Sequence, residues 1–332
     1  MSGVAASGQL PAGVSIRILA CGKTGHLVPC AGVAAALGVE PEIVQVAPRL
    51  WYAPFAPWGP ADPADPGLRA PFPDIAIASG KETVPYLRAL KKRSDGATFT
   101  LFLGDPRVSC GIFDLIWTPA HDRLTGANVF KTLTAPHPHD ATALASARAR
   151  ADGRLAGLAS PRVAVMLGGP SGQYRFGDAD SENVRAAVAR LLAEDARVMI
   201  SPSRRTPDEL VERLKHAIAD AGATDRAFVW DGSGDNPYQG MLALADAFLV
   251  TCDSVNMIGE ALATGKPVHV LKLEGEAGKF GTFFERLQAG GYIRFWKGAL
   301  EDWSYAPLDA TAEIAGEVAR RYALFVQARA GA

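Results

Sequence analysis

The chain has 332 residues, 48% of them hydrophobic and 21% charged, with a formal net charge of −1. That length and apolar content suit two globular domains, each with its own core. Near-zero charge argues against nucleic acid as a partner, a local basic pocket aside. No run of about 18 apolar residues occurs, so no spanning helix is expected. Cys21, Cys30, Cys110 and Cys252 form no CxxC and read as reduced thiols of a cytosolic protein. Residues 1–14 lack the basic and apolar regions of a secretory signal and read as a disordered tail.

In chain order, Ile16 to Cys21 is an apolar run that predicts a strand. Gly22-Lys23-Thr24-Gly25-His26 follows as a glycine-containing turn, then a helix from about Leu27 to Leu37. Pro29 is expected in the first turn of that helix, where its missing N–H costs nothing. Ile43 to Val46 is a second short strand. Seven prolines between Pro54 and Pro73 predict a long extended loop over 51–73, with Trp51, Tyr52, Phe55 and Trp58 at its start. Asp74 to Ser79 is a strand, Glu82 to Arg93 a helix with a basic end, and Thr98 to Leu103 and Phe113 to Thr118 two more strands. Residues 119–140 read as irregular and Ala141 to about Leu155 as a helix. Gly153, Gly157, Ser160 and Pro161 place the domain boundary near 151–161, giving domains 15–155 and 156–332.

The second half repeats the rhythm. Val163 to Leu167 is a strand and Gly168-Gly169-Pro170-Ser171-Gly172 a glycine-rich turn. A helix capped by Asp180 or Ser181 runs to about Glu194. Arg197 to Ser201 is a strand, then Ser203-Arg204-Arg205-Thr206 leads into a helix with Thr206 as N-cap and Pro207 at its first position. Phe228 to Trp230, a loop 231–237 and a helix to Ala245 come next. Ala247 to Val250 is a buried strand ending in Thr251-Cys252-Asp253-Ser254. A helix from Val255 to Thr264 follows, stopped by Gly265 and Pro267, then a strand to Leu271. Ala277 to Ala289 and Thr311 to about Arg329 are the last helices. Strands alternating with helices imply parallel sheets with right-handed crossovers. The expected fold is α/β: two Rossmann-like domains facing a cleft.

Known glycine motifs do not fit the first turn. Position 17 is arginine, so no P-loop precedes Gly22-Lys23-Thr24, and no G-x-G precedes Gly25. The turn holds His26 at a strand end, as a helix-capping histidine or as a general base. Four polar turns close consecutive strands of the second half, at 168–172, 203–206, 231–237 and 251–254. Helix N-termini and free N–H groups at such an edge attract anions, and arginine matches phosphate bidentately. Ser254, Met257 and Glu260 follow at three-residue steps along one helix face. His137-Pro138-His139-Asp140 lacks a third well-spaced ligand and reads as a polar loop, so no metal site is expected. Asp178-Ala179-Asp180 reads as a helix-start cluster.

Ser203-Arg204-Arg205-Thr206-Pro207, Asn236-Pro237-Tyr238 and the stretch Val250 to Ala261 with Gly265-Lys266-Pro267-Val268 resemble the ELM1 (mitochondrial fission ELM1-like) family. Gly25-His26, Asp105-Pro106-Arg107, Phe113-Asp114-Leu115, Pro119-Ala120-His121-Asp122 and Asn128-Val129 extend the resemblance over about 16–320. The family pattern Gly-His-x-x-Gln ends here in Pro29. More distantly, the motifs are similar to GT-B glycosyltransferases, of the lipid-linked GlcNAc transferase type of peptidoglycan synthesis. The resemblance implies a GT-B-like fold. It implies that Ser171, Ser203, Arg204 and Ser254 hold a diphosphate, Glu260 binds ribose hydroxyls, and His26 is the catalytic base or an acceptor contact. Gly25, Gly169, Arg205, Asn236, Asp253 and Met257 complete the expected substrate-binding set.

The leading expectation is a metal-independent glycosyltransferase without a cofactor, taking a nucleotide-diphosphate sugar as donor. The alternative is a non-catalytic GT-B-like adaptor. It would recruit a protein partner or contact a membrane surface through loop 51–73, at the inner face of the membrane of a cytoplasmic protein. A sugar-nucleotide epimerase is disfavoured because neither glycine turn carries a dinucleotide fingerprint.

Overall fold

A computed structural model describes residues 10–49 and 51–331. The chain divides into two compact units. One runs to Pro138 and resumes at Asp309; the other is His139–Leu308. This partition differs from the expected boundary near 151–161. The sequence punctuation at 153–161 instead falls inside the second unit, on a one-turn helix and its link to the next strand, and the terminal helix packs with the first unit.

In the first unit the elements are β1 (Ile16–Ala20), α1 (Thr24–Ala36), β2 (Glu42–Gln45), β3 (Ile75–Ser79), α2 (Val84–Arg93), β4 (Phe99–Leu103), β5 (Leu115–Pro119) and β6 (Val129–Thr132). They form one parallel sheet in the order β2-β1-β3-β4-β5-β6. β1, β3 and β4 are buried along their whole length, as continuous apolar runs in a doubly covered parallel sheet should be. One face carries α1 and the terminal helix, whose Ile314, Val318 and Tyr322 join Ile18, Val33, Ile77 and Leu101 in one core. The other carries α2, with Leu87 and Leu90 against Ala78, Phe102 and Ile116. Of the expected tail, residues 1–9 lie outside the described residues, while Leu10 and Val14 pack against the first core.

Three local expectations fail. α1 starts at Thr24, so Pro29 sits inside the helix rather than in its first turn. β6 occupies part of the stretch read as irregular, because a four-residue edge strand is too short to show a period. Loop 51–73 is neither uniformly extended nor loosely held. It contains two short 3₁₀ turns, Ala53–Phe55 and Pro66–Leu68. Arginines pin it: Arg17 donates to Arg69 O and Pro71 O at 2.9 Å each. Arg49 grips Asp62 through two bonds of 2.6 and 2.7 Å, and Arg93 reaches Leu68 O and Pro63 O.

The second unit contains α3 (Ala141–Ala149), α4 (Gly153–Ala156), β7 (Arg162–Leu167), α5 (Asp178–Ala193), β8 (Arg197–Pro202), α6 (Asp208–Asp220), β9 (Ala227–Val229), α7 (Tyr238–Leu244), β10 (Ala247–Thr251), α8 (Val255–Leu262), β11 (Val268–Leu271), α9 (Gly281–Ala289) and β12 (Ile293–Phe295); α10 (Ala310–Ala330) returns to the first. The parallel order is β12-β11-β10-β7-β8-β9. β12 was not expected, again for its length. The expected helix 141–155 is broken at residues 150–152, where Asp152 caps a new turn by accepting from Arg154 N–H. α6 starts at Asp208 after Pro207, so Thr206 is not its N-cap.

Each sheet has one switch point, where the winding direction reverses. In the first unit it lies between β1 and β3, in the second between β7 and β10. Ligands of open α/β sheets bind outside the carboxyl ends of the strands at such points.

Candidate functional site

The second unit's switch point brings three of the expected turns together. Gly168 N–H donates to Thr251 Oγ1 at 2.8 Å and Gly169 N–H to Asp253 Oδ2 at 2.9 Å. Arg205 donates to Gly169 O at 2.8 Å, to Pro170 O at 3.0 Å and to Asp253 Oδ2 at 2.8 Å. Thr206 Oγ1 accepts from Ser203 N–H at 2.8 Å and donates to the end of β7. The Asp253 side chain is fully buried, with Oδ1 lacking a hydrogen-bond partner. The requirement for glycine is steric: a Cβ on Gly168 would fall 2.0 Å from Asp253 Oδ2, and one on Gly169 2.0 Å from Arg205 O.

This changes the roles of individual residues. Arg205, expected to hold substrate, is occupied as a strut between the glycine turn and Asp253. Arg204 is exposed and makes no hydrogen bond or ion pair among the described residues. Ser171 is exposed on the glycine turn, its Oγ 3.3 Å from Tyr174 N. Ser203 Oγ accepts from Arg205 N–H at 3.2 Å. Ser254 precedes α8 but makes no side-chain cap bond; its Oγ lies 3.3 Å from Asp253 Oδ2. The first N–H groups of α8 thus lack the usual side-chain cap.

Met257 and Glu260 follow along α8, both half-buried. The Tyr238 hydroxyl donates to Glu260 Oε2, and His139 Nε2 lies 3.9 Å from Oε1. Burial pushes the Glu260 carboxyl up to about 7, the Tyr238 bond pulling part of the way back. Burial, followed by the neighbouring carboxylate, lifts the Tyr238 phenol well above its ordinary value. Asn236 Oδ1 accepts from Tyr238 N–H at 3.0 Å and so starts α7. Asn236 also lines a cavity of about 710 Å³ with Arg154, Phe228, Trp230, Asp231 and Gln239. Tyr238 belonged to a recognised motif, but nothing in the sequence tied it to a residue 22 positions on.

The first unit's switch point holds Gly25 and His26. Gly25 is exposed in the first turn of α1, and a Cβ there would meet nothing within 4 Å. His26 is half-buried, and its Nδ1 lies 3.0 Å from Ser79 Oγ. Ser79 ends β3 and was read only as a strand terminus. Lys23 pairs with Glu82 at 2.8 Å. Among the described residues no group of three or more His, Cys, Asp or Glu could hold a metal ion. His137 and His139 do not form such a group, and Asp140 caps α3 by accepting from Ala143 N–H.

Two doubly wound parallel α/β units with turns gathered at their switch points define a GT-B-like fold. The chain belongs to the mitochondrial fission ELM1 family, whose sequence profile matches residues 24–322. Mitochondrial fission protein ELM1 of Arabidopsis thaliana is 30% identical over 277 residues, covering 76% of this chain and 64% of that protein. The chain thus spans a little under two thirds of the plant relative's length. An uncharacterised protein of Rickettsia prowazekii (strain Madrid E) is 25% identical over 285 residues, 73% of this chain and 78% of that one. Among solved structures, the UDP-GlcNAc 2-epimerase of Methanocaldococcus jannaschii superposes with a TM-score of 0.56 at 10% identity, covering 94% of this chain and all of that one. The Neisseria meningitidis UDP-GlcNAc 2-epimerase bound to UDP-GlcNAc gives 0.53 at 11% identity, over 95% and 93% of the two chains. At such identities the likeness establishes the fold alone.

Proposed function

We propose that the second unit binds a nucleotide-diphosphate sugar and that the protein transfers the sugar to an acceptor hydroxyl. The observation that carries this reading is the knitting of the 168–172, 203–206 and 251–254 turns at one topological switch point, with Arg204 left unpaired beside them. In this reading Arg204, Ser171, Ser203 and the α8 N-terminus with Ser254 hold the diphosphate. Glu260 receives the ribose hydroxyls, and the cavity beside Asn236 takes the base. Gly169, Arg205 and Asp253 act by holding the turn; Met257 packs beneath the nucleoside.

The transfer step balances without a metal or cofactor. The acceptor oxygen bonds to the anomeric carbon and gives its proton to a general base, the role that the family resemblance gives His26. The bond from that carbon to the diphosphate oxygen breaks, and the nucleoside diphosphate leaves with the electron pair. Arg204 and helix-end N–H groups stabilise its charge.

Calorimetric titration with UDP, GDP and their sugars tests the binding half. Saturable heat is expected with at least one of them, and Arg204→Ala should weaken it about tenfold or more, a charge-assisted bond being worth about 1.5–3 kcal/mol. A folded protein that gives no heat with any of them sinks the reading. Incubation of the binding sugar nucleotide without acceptor separates the classes: an inverted sugar carbon would replace transfer by epimerisation.

A peripheral location is supported by a separate observation. Trp51, Phe55 and Trp58 are 82%, 60% and 70% exposed on the pinned loop. The loop's acids, Asp62 and Asp65, are buried, whereas Arg69 and nearby Arg93 are exposed. Exposed aromatic side chains together with exposed arginines on and beside the same loop suit an anionic bilayer surface. Among the described residues no helix is long and apolar enough to cross a membrane. Co-sedimentation with phosphatidylglycerol vesicles is expected, less with phosphatidylcholine, and it should be lost in a Trp51→Ser/Phe55→Ser/Trp58→Ser variant. Equal sedimentation of the variant would end this proposal. The adaptor alternative, which would use the same loop to contact a protein partner, rests on the name of the plant relative.

A further inference from the structure

The first unit's switch point contains a hydrogen-bond chain whose direction follows from counting protons. Ser79 Oγ lies 2.8 Å from Leu103 O and 3.0 Å from His26 Nδ1. A carbonyl oxygen only accepts, so the single hydroxyl proton of Ser79 goes to Leu103 O. What Ser79 then offers the imidazole is a lone pair. His26 Nδ1 must carry the proton of the neutral ring, and Nε2 is left as the acceptor. Free imidazole has no such fixed choice; the partner of one nitrogen sets the other.

The scaffold around this chain is rigid. Ser79 is buried at 8% exposure, and it pairs with Leu103 in the β3–β4 register. Its carbonyl receives Cys21 Sγ at 3.8 Å and Thr83 Oγ1 at 3.3 Å. Gly80 follows with φ 92°, and a Cβ there would meet His26 Cδ2 at 3.3 Å and Cys21 Sγ at 3.1 Å. A glycine is therefore needed both for the backbone turn and for the close passage of the ring. His26 itself is fixed from the other side, because its N–H bonds to Lys23 O in the first turn of α1. Sheet edge and helix start thus hold the ring between them.

We propose that Ser79 is a positioning residue for His26, locking the imidazole as the Nδ1–H tautomer so that Nε2 is the basic nitrogen. The inference deepens the transfer reading by naming the atom that takes the acceptor proton, and it rests on that reading for its catalytic meaning. The tautomer itself stands independently of any nucleotide.

The test is nitrogen-15 NMR on the full chain with labelled histidine, His26 being assigned by the resonance lost in His26→Gln. In the neutral ring, His26 should show a protonated Nδ1 and an unprotonated Nε2. Ser79→Ala should move the population toward Nε2–H, and Ser79→Thr, which keeps the hydroxyl, should restore Nδ1–H. An Nε2–H ring in the unaltered protein overturns the proposal, as does an unchanged tautomer in a folded Ser79→Ala. The unaltered protein alone decides the point if that variant does not fold. Once a donor and acceptor are known, Ser79→Ala should lower turnover about 10- to 100-fold while nucleotide affinity stays unchanged. A negative nucleotide titration would remove the transfer reading and leave the tautomer result intact, so the two failures are distinguishable.

Discussion

Gly168→Ala is expected to destabilise the second unit by about 3 kcal/mol and to remove nucleotide binding with it. The added Cβ would stand 2.0 Å from Asp253 Oδ2 and 2.2 Å from Ser254 Oγ, far inside contact distance. The carboxylate has no easy retreat. Asp253 is fully buried and tied to Gly169 N–H and to Arg205. Swinging it away would strand a carboxylate without its cation, and a buried charge deprived of its partner is costly. Moving the backbone instead would break the Gly168–Thr251 bond, the link between β7 and β10 at the switch point. Ordinary overpacking costs about 1–3 kcal/mol, and the coupled charge contacts place this site at the upper end. Gly172→Ala is the control. It lies on the same turn with nothing within 4 Å of its Cβ, and should stay within about 0.5 kcal/mol of the unaltered protein. Urea unfolding followed by far-UV dichroism measures both. If Gly168→Ala unfolds at the same midpoint as Gly172→Ala, the three turns are not knit as described.

Much of this architecture was legible in the residues. The apolar runs at 16–20, 75–79, 163–167 and 247–251 are buried on both faces and needed no periodicity to be recognised as parallel strands. The strands that escaped, Val129–Thr132 and Ile293–Phe295, lie at sheet edges and are too short to carry a pattern. The division differs from the expected boundary because the two short helices after residue 140 belong to the second unit and α10 to the first, and a helix's residues do not say which sheet it will join. In the site, residue type was readable but partnership was not. Two adjacent arginines looked equivalent at 204 and 205; only the fold separates the strut from the free cation. Ser79 looked like a strand end, and its bond to His26 spans 53 positions. Tyr238 and Glu260 each sat in a recognised motif, yet their pairing depends on α7 and α8 flanking β10.

That pairing gives the other large expectation. If Glu260 receives ribose hydroxyls, it must act as an acceptor, which favours its ionised form. Its carboxyl is pushed up from 4.5 to about 7 by burial. Nucleotide affinity should then rise with pH through about 7 and level off above it. A group with that midpoint is about one tenth ionised at pH 6 and nine tenths at pH 8, so the apparent Kd should fall about tenfold across the interval. Glu260→Gln should flatten the profile, leaving only the titration of the ligand's own phosphate. Tyr238→Phe removes the bond that favours the carboxylate, so its midpoint should move upward and binding at neutral pH should weaken. Folding stability has the opposite sign. The unfolded carboxyl ionises near 4.5 and the folded one near 7, so the penalty of burying it is absent below the first value and complete above the second. Lowering the pH from 8 toward 5 should therefore raise the stability contribution of this residue. Its ceiling is about 3 kcal/mol, reduced because the side chain keeps 23% of its exposure. The imidazole of His139, 3.9 Å from Oε1, faces the same carboxyl from just before α3. Calorimetric Kd values and urea midpoints over the same pH range test the two signs together. Affinity and stability moving in opposite directions, with both slopes removed by Glu260→Gln, would identify Glu260 as the group responsible; parallel slopes would exclude it.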